Sequence, residues 1–148
     1  MRVKKGTSII EVVIATAMIS MAVIAALSLT SKSQSQNNYA RRSAEASKYA
    51  TQVADWLRGE RDNLGFTELS ENIPAGAGGT TYCIQTLPDD ITDLPGTGDC
   101  GSNQLIDNVF ERSLVLSKTA DTITGKVEIN WEDNTTRSII VNVELKKW

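Results

Sequence analysis

The sequence predicts an α+β fold in which a long N-terminal helix carries an antiparallel sheet on its C-terminal half. Two observations predict this class. Residues 8–64 favour a single helix that is apolar all round at its start and amphipathic toward its end. Residues 110–145 instead alternate between apolar and polar side chains, in segments that turn residues separate. A sheet with one apolar face needs a second layer, and the apolar stripe of the helix can supply it.

The first element is an apolar helix that follows a basic leader. Residues 1–6 read M-R-V-K-K-G, with three cations and no anion, and Glu11 is the only ionisable residue among residues 9–29. About 20 apolar residues in a helix suffice to span a bilayer. By the positive-inside rule the leader stays on the cytoplasmic side, so the chain after this segment is expected outside the cytoplasm. A carboxylate inside a membrane is costly, which makes Glu11 a candidate functional residue.

Two simpler interpretations of this segment explain less of it. A cleaved secretory signal has a shorter apolar core that ends in small residues, whereas Ala15-Thr16-Ala17 lies in the middle of the run. A plain single-pass anchor accounts for the length of the segment but does not explain why it contains the carboxylate of Glu11.

The helix is predicted to continue beyond the membrane as far as residue 64. Apolar residues recur there at spacings of three, four and seven, with charged residues between them, so that one face is apolar. Asn63-Leu64-Gly65 is a stop signal, because glycine suits a left-handed C-terminal cap. The apolar positions of the stripe are Ala46, Ala50, Val53, Leu57 and Leu64.

The rest of the chain is predicted to contain loops and then strands. Residues 66–108 are rich in Gly, Pro, Asp and Asn, and they contain one strand candidate at residues 80–87. Three further strands are predicted at residues 110–118, 122–131 and 136–145, joined by tight turns. The residues expected to face inward on the last two strands are Val127, Ile129, Trp131, Ile139, Val141, Val143 and Leu145.

Cys83 and Cys100 are predicted to form a structural disulfide. The topology places them outside the cytoplasm, where a disulfide can persist. Closing a loop of about 15 residues is worth roughly 3 kcal/mol in the chain-entropy model. Two free or redox-active thiols are the alternative, although the pair does not form a C-x-x-C motif. The nearby G-x-G-x-x-G at residues 96–101 follows Pro95 rather than a hydrophobic strand, so it does not indicate a nucleotide site.

An acidic loop offers a weak candidate for a Ca²⁺ site. Its carboxylates are Asp89, Asp90, Asp93 and Asp99, whose oxygens could serve as Ca²⁺ ligands. The spacing matches no EF-hand, so a solvated acidic loop is the preferred interpretation and no cofactor is expected. Asn134-Thr135-Thr136 has the form of a glycosylation sequon, but it is more simply a turn between two strands.

The composition excludes several classes of function. The chain has 148 residues, which is about one domain, and it contains no histidine. The lack of histidine removes Ser/His/Asp catalysis and most zinc sites. A net charge of -3 argues against binding to nucleic acid.

The junction between the leader and the apolar segment resembles that of a known family. Lys4-Lys5-Gly6 followed by T-S-I-I-E-V-V-I-A resembles the class III signal peptide of type IV prepilins and type II secretion pseudopilins. The resemblance implies that prepilin peptidase cleaves between Gly6 and Thr7, that the Thr7 amine is methylated, and that Glu11 is the fifth residue of the mature chain. It also implies the same pilin-like α+β fold that the residue pattern predicts.

The resemblance also divides the chain into three parts. These are a leader at residues 1–6, a transmembrane and assembly helix at residues 7–30, and an extracytoplasmic head at residues 31–148. Thr7 stands where the family usually has Phe, and residues 8–31 contain neither Pro nor Gly. The missing helix breaker favours a minor pilin or pseudopilin over a major pilin.

We therefore expect a structural subunit of a type IV pilus or related pseudopilus, and not an enzyme. Its expected partners are other pilin or pseudopilin subunits, prepilin peptidase, the inner-membrane assembly platform and membrane lipid. Its expected location is the cytoplasmic membrane, crossed once, with the head outside and the chain incorporated into a pilus or pseudopilus. The alternative is a membrane-anchored extracytoplasmic binding module, in which the helix is only a tether. A Ser/Lys enzyme is a weaker alternative, because no motif selects a pair.

Overall fold

The computed structural model describes residues 8–75, 78–98, 100–101, 104–133 and 135–147. The chain divides into two units, one that ends at Arg41 and one that begins at Arg42. Helix α1 (Ile9–Leu64) is continuous through residues of both units. The predicted single helix is confirmed, and its observed end at Leu64 is the predicted one.

The second unit has an α+β architecture and contains most of the secondary structure. After α1, the elements in chain order are helix α2 (Phe66–Asn72), strand β1 (Thr80–Cys83), a 3₁₀ helix (Ile91–Asp93), and strands β2 (Leu105–Ile106), β3 (Phe110–Lys118), β4 (Thr122–Asp133) and β5 (Thr135–Lys146). The three predicted C-terminal strands are all present, and β3 has the predicted bounds.

The strands form one antiparallel sheet in the order β1-β3-β4-β5. β4 pairs with β3 along one edge, while β1 and β2 share the other edge of β3. β4 and β5 pair without interruption from Thr122 opposite Lys146 to Asp133 opposite Thr135. β5 and the short strand β1 therefore lie at opposite edges of the sheet.

The core lies between α1 and one face of the sheet. The inward residues of β3 and β4 alternate with outward ones, as the period of a strand requires. The small residues of α1 allow a close approach, and a Cβ at Gly125 of β4 would lie only 2.7 Å from Leu57 Cδ2. The fully or nearly fully buried residues that α1 contributes are Ala46, Ala50, Val53, Ala54 and Leu57.

Within the second unit, α1 runs antiparallel to β4. Arg42 Nη1 donates to the carbonyl oxygen of Glu132 at 2.8 Å, and Leu57 lies over Gly125. The helical distance between these two contacts is about 22 Å at 1.5 Å per residue. The matching stretch of β4 is about 23 Å long at 3.3 Å per residue. Because the two lengths agree, the helix axis lies nearly along the strands.

Four elements differ from the prediction for residues 66–108: α2, the 3₁₀ helix and β2 were not predicted, and β1 is shorter than predicted. Gly65 has a φ of 80° and its N–H donates to Arg61 O at 2.8 Å, which ends α1, but a second helix, α2, begins immediately afterwards. α2 buries Phe66 and Leu69, so it adds to the core where a loop was predicted. Strand β1 also ends at Cys83 and not at residue 87.

Candidate functional site

The first candidate site is the apolar segment of α1, residues 9–29. Its large apolar side chains are exposed, among them Ile9 at 84%, Met21 at 74% and Leu29 at 70%. α1 is long enough and apolar enough to cross a membrane. Since a water-soluble domain rarely leaves a contiguous apolar surface of this size exposed, the segment requires lipid or protein around it.

Four hydroxyl groups in and just after this segment are satisfied by the helix itself. Thr16 Oγ1 donates to Val13 O at 2.9 Å, and Ser20 Oγ donates to Thr16 O at 2.8 Å. Ser28 and Thr30 donate in the same way, each to the carbonyl four residues earlier, at 3.0 Å. An unmade hydrogen bond is costly in a hydrocarbon environment. These local bonds therefore make the four hydroxyl groups compatible with a membrane.

Glu11 lies in the first turn of α1 and its side chain is exposed. The backbone N–H of Glu11 donates to Ser8 O at 3.0 Å, so the helix is already formed at this residue. A carboxylate is favoured at this position, because the N-terminus of a helix carries partial positive charge. Within the described residues Glu11 has no ion-pair partner. The predicted cleavage residues Gly6 and Thr7 lie outside the described residues.

Cys83 and Cys100, which were predicted to pair, form a disulfide with a Cα–Cα distance of 5.3 Å. The bond closes a loop that returns along the free side of β1. In this loop Gly98 N donates to Thr81 O at 3.1 Å, and Thr97 forms an isolated bridge with Tyr82. The disulfide therefore holds a covering segment against the β1 edge of the sheet.

Arg112 is a buried cation that was not predicted from the sequence. It is only 3% exposed, and its guanidinium donates to Ile84 O at 2.8 Å, Gln85 O at 3.1 Å and Tyr49 O at 3.4 Å. Burial lowers the pKa of Arg112 to about 10. The alternation of side chains along β3 could have indicated that Arg112 is buried, because Arg112 occupies an inward position between Phe110 and Leu114.

Glu60 is the second buried charged residue of the head and was also missed. It is 7% exposed, and its Oε2 accepts a hydrogen bond from the backbone N–H of Ile91 at 3.1 Å. This bond ties α1 to the start of the 3₁₀ helix. Arg112 and Glu60 thus attach the loop between β1 and β2 to the main helix, and we assign both of them structural roles.

The acidic loop does not form a carboxylate cluster in the part of the chain that the structure describes. Asp90 instead caps the 3₁₀ helix, since its Oδ1 accepts from the N–H of Thr92 at 2.9 Å. Asp89 and Asp93 lie beside it in the chain, and Asp99 lies outside the described residues. The local role of Asp90 is therefore that of a helix cap.

A shallow cleft of about 490 Å³ lies at the end of the head where α1 enters it. Its lining combines the apolar side chains of Leu105, Val109 and Trp131 with charged and amide side chains. The lining residues are Arg42, Leu105, Asn108, Val109, Glu111, Asn130, Trp131, Glu132 and Thr136. Such a mixed lining is compatible with a small polar ligand, but Arg42 is already engaged with Glu132 and Asp133.

Comparisons with protein-family models, with curated proteins and with solved structures found no match for this chain.

Proposed function

We propose that this chain is a structural subunit of a type IV pilus or related pseudopilus, anchored by α1 and assembled through it. The observation that supports the proposal is that α1 has two kinds of surface along its length. Residues 9–29 expose apolar side chains on every side, whereas the stripe from Ala46 to Leu57 is buried by the sheet. The head thus covers only its own part of α1 and leaves the apolar segment for lipid or neighbouring subunits.

Maturation is the first step of the proposed pathway. Prepilin peptidase removes residues 1–6 on the cytoplasmic side and leaves the Thr7 amine, which is methylated, at the start of the helix. This step also removes three cations and no anion, so the side-chain charge of the chain changes from -3 to -6. The mature chain then carries an amine at its N-terminus and a carboxylate about one helical turn further along.

Glu11 is proposed to set the axial position of each subunit. Apolar helices slide past one another in lipid with little preference, because lipid tails are as apolar as leucine. A carboxylate paired with the Thr7 amine of a neighbouring subunit is compensated, and removing one partner of such a pair costs about 3 to 5 kcal/mol. The pair therefore favours one stagger between adjacent helices over the others.

Two measurements test this function. Mass analysis of the N-terminus, on protein from native membranes, should find a chain that begins at Thr7. An intact leader, or cleavage after Ala17 or Ala26, would refute the assignment. The Gly6→Leu variant should retain its leader, because a peptidase that binds the backbone closely has no room for a bulky side chain at the scissile bond.

The second measurement addresses Glu11. We expect Glu11→Ala to be processed and inserted normally but to lose most of its co-purification with the other filament subunits. Glu11→Gln is the matched control, since it keeps the size and hydrogen-bonding capacity of the side chain and removes only its charge. Wild-type incorporation of Glu11→Ala would refute the pairing mechanism, and normal assembly of Glu11→Gln alone would show that a hydrogen bond suffices.

A membrane-anchored binding module is the second candidate, and the cleft of about 490 Å³ favours it. In that case the apolar segment is only a tether, the leader is retained, and Glu11→Ala has no effect on function. Analysis of the N-terminus separates the two candidates directly.

A further inference from the structure

The two cysteines of the head's disulfide differ in how well they are covered. Cys83 is the last residue of β1, lies opposite Ser113 of β3 and is only 4% exposed. Cys100 belongs to the loop that covers the β1 edge, and it is partly exposed. Because thiol–disulfide exchange depends on access to the sulfur that is attacked, the two residues should not react alike.

The chain that follows Cys83 is held by hydrogen bonds that do not involve the disulfide. Immediately after β1, the N–H of Ile84 donates to Arg112 O at 3.0 Å. The Arg112 guanidinium donates in turn to Ile84 O at 2.8 Å and to Gln85 O at 3.1 Å. None of these bonds depends on the S–S bond, so Cys83 should keep its buried position when the disulfide is reduced.

The chain around Cys100 is instead open to its surroundings. Gly96, Gly98 and Gly101 lie on both sides of this residue, and a Cβ at any of the three would have no atom of the described chain within 4 Å. A bulky group can therefore approach the main chain here without displacing packed side chains. A partner must make such an approach to bring its own sulfur to Cys100 Sγ.

Both sulfur atoms also lie near carbonyl oxygens. Cys83 Sγ is 3.6 Å from Gly98 O, and Cys100 Sγ is 3.8 Å from Arg112 O. A thiol is a weak hydrogen-bond donor, so each thiol of a reduced head would have an acceptor already in place. The reduced head is therefore expected to keep its fold, and the exchange can take place on the folded head.

A hollow of about 260 Å³ borders Cys83 and offers a second approach to the disulfide. Cys83 is nevertheless only 4% exposed, so the hollow reaches little of it. We expect this route to contribute little, and the experiment below measures its contribution.

We propose that Cys100 is the residue through which the head exchanges its disulfide with an external compound or protein that bears an accessible disulfide, and that Cys83 resolves the mixed disulfide. This assignment rests on the head alone and does not require the pilus function.

Oxidation of the head then has two steps. The Cys100 thiolate attacks one sulfur of the external disulfide, so that a bond forms between these two sulfurs and the other external sulfur leaves as a thiolate. The Cys83 thiolate next attacks Cys100 Sγ, forms the Cys83–Cys100 bond and expels the first external sulfur as a thiolate. The two cysteines lose two electrons, and the external disulfide gains them.

The test uses the full chain in mild detergent and glutathione disulfide as the probe. The variants Cys83→Ser and Cys100→Ser each keep one thiol and serve as controls for each other. Mass spectrometry follows the rate at which each forms a mixed disulfide, first in the native state and then in urea. The rates in urea report the intrinsic reactivity of each thiol without the fold.

In the native state we expect Cys83→Ser, which keeps Cys100, to react at least about tenfold faster than Cys100→Ser. In urea the two rates should agree within about twofold, because both thiols are then exposed. Equal native rates, or faster reaction of Cys100→Ser through the hollow beside Cys83, would overturn the proposal. A native difference that persists unchanged in urea would also overturn it, since the fold would not be its cause.

A second measurement needs no substitution. The wild type is reduced, exposed briefly to iodoacetamide and mapped by peptide mass spectrometry, while circular dichroism monitors its fold. Label should appear mainly on Cys100. Equal labelling of Cys83 and Cys100, or a reduced head that is unfolded, would contradict the proposed order of reaction.

Analysis of the two variants from native membranes identifies the kind of external disulfide. Cys83→Ser should carry an adduct on Cys100, and the mass of the adduct distinguishes a small thiol from a protein. An unmodified Cys100 in this variant, or an adduct on Cys83 in the other, would overturn the proposal. None of these measurements involves the leader, so a retained leader would refute the pilus function and leave the cysteine assignment standing.

Discussion

Gly125 lies directly beneath Leu57 in the described head, and its substitution tests how α1 sits on the sheet. A Cβ at this position would lie 2.7 Å from Leu57 Cδ2, whereas carbon atoms pack at about 3.5–4.0 Å. Leu57 is fully buried among the alanines of α1 and the leucines of β3, so it has little room to move. Overpacking of a core costs about 1–3 kcal/mol.

The expected net effect of Gly125→Ala follows from two opposing contributions. Replacing a strand glycine by alanine stabilises by about 0.5–1 kcal/mol, because the unfolded chain loses conformational freedom. The steric cost is larger, so we expect a net loss of about 1–2 kcal/mol. For a domain of the size of the head this lowers the melting temperature by roughly 5–10 °C.

Gly59→Ala is the matched control for this experiment. Gly59 lies inside α1 and a Cβ there would meet no atom within 4 Å. The same chemical change should therefore stabilise the head, by about 0.5–1 kcal/mol. Thermal unfolding of the full chain in mild detergent, followed by the fluorescence of Trp56 and Trp131, measures both variants. A Gly125→Ala variant as stable as Gly59→Ala would refute the placement of Leu57 over β4.

Two further predictions concern the disulfide and a tyrosine. The double variant Cys83→Ser/Cys100→Ser should lose roughly 3 kcal/mol of stability in urea unfolding, and an unchanged midpoint would mean that the loop is held by its other contacts. Tyr49 donates a hydrogen bond to Asp107 Oδ2 at 2.6 Å, and this bond, together with burial, raises the pKa of Tyr49 above 10.0. The bond should stabilise the fold by less than about 1 kcal/mol below pH 10, and this contribution should disappear as Tyr49 ionises at higher pH. The melting temperature of the wild type relative to Tyr49→Phe should therefore be higher at pH 7 than above the raised pKa, whereas a difference that does not change with pH would refute the assignment.

The elements that the sequence predicted well are those with a long, regular pattern. α1 and strands β3, β4 and β5 each carry enough residues for an apolar period to be recognised. α2 was missed because its seven residues bury only Phe66 and Leu69, which is too few to establish a helical period. β2 has two residues and exists only through its pairing with β3, so no local signal could predict it.

The early end of β1 has a tertiary cause. Beyond Cys83 the N–H of Ile84 still donates to Arg112 O, but the carbonyls of Ile84 and Gln85 are taken by the Arg112 guanidinium. The strand therefore cannot continue to residue 87, and only the fold brings these groups together. In the candidate site, by contrast, the Cys83–Cys100 pairing followed from the expected compartment, and Glu11 was identified by its position within an apolar run.

The internal hydrogen bonds of Thr16, Ser20, Ser28 and Thr30 bear on how α1 could pass from one surrounding to another. Each hydroxyl donates to a carbonyl of its own helix, so none of these donors needs to exchange a partner when lipid is replaced by protein. For the apolar segment, such a transfer would exchange one set of van der Waals contacts for another of similar strength. The free energy of the Glu11 side chain, by contrast, depends strongly on whether lipid or protein surrounds it, since a carboxylate is sensitive to nearby charge and water. A helix built in this way could move between lipid and a neighbouring helix with little resistance, and a single side chain would distinguish the two states.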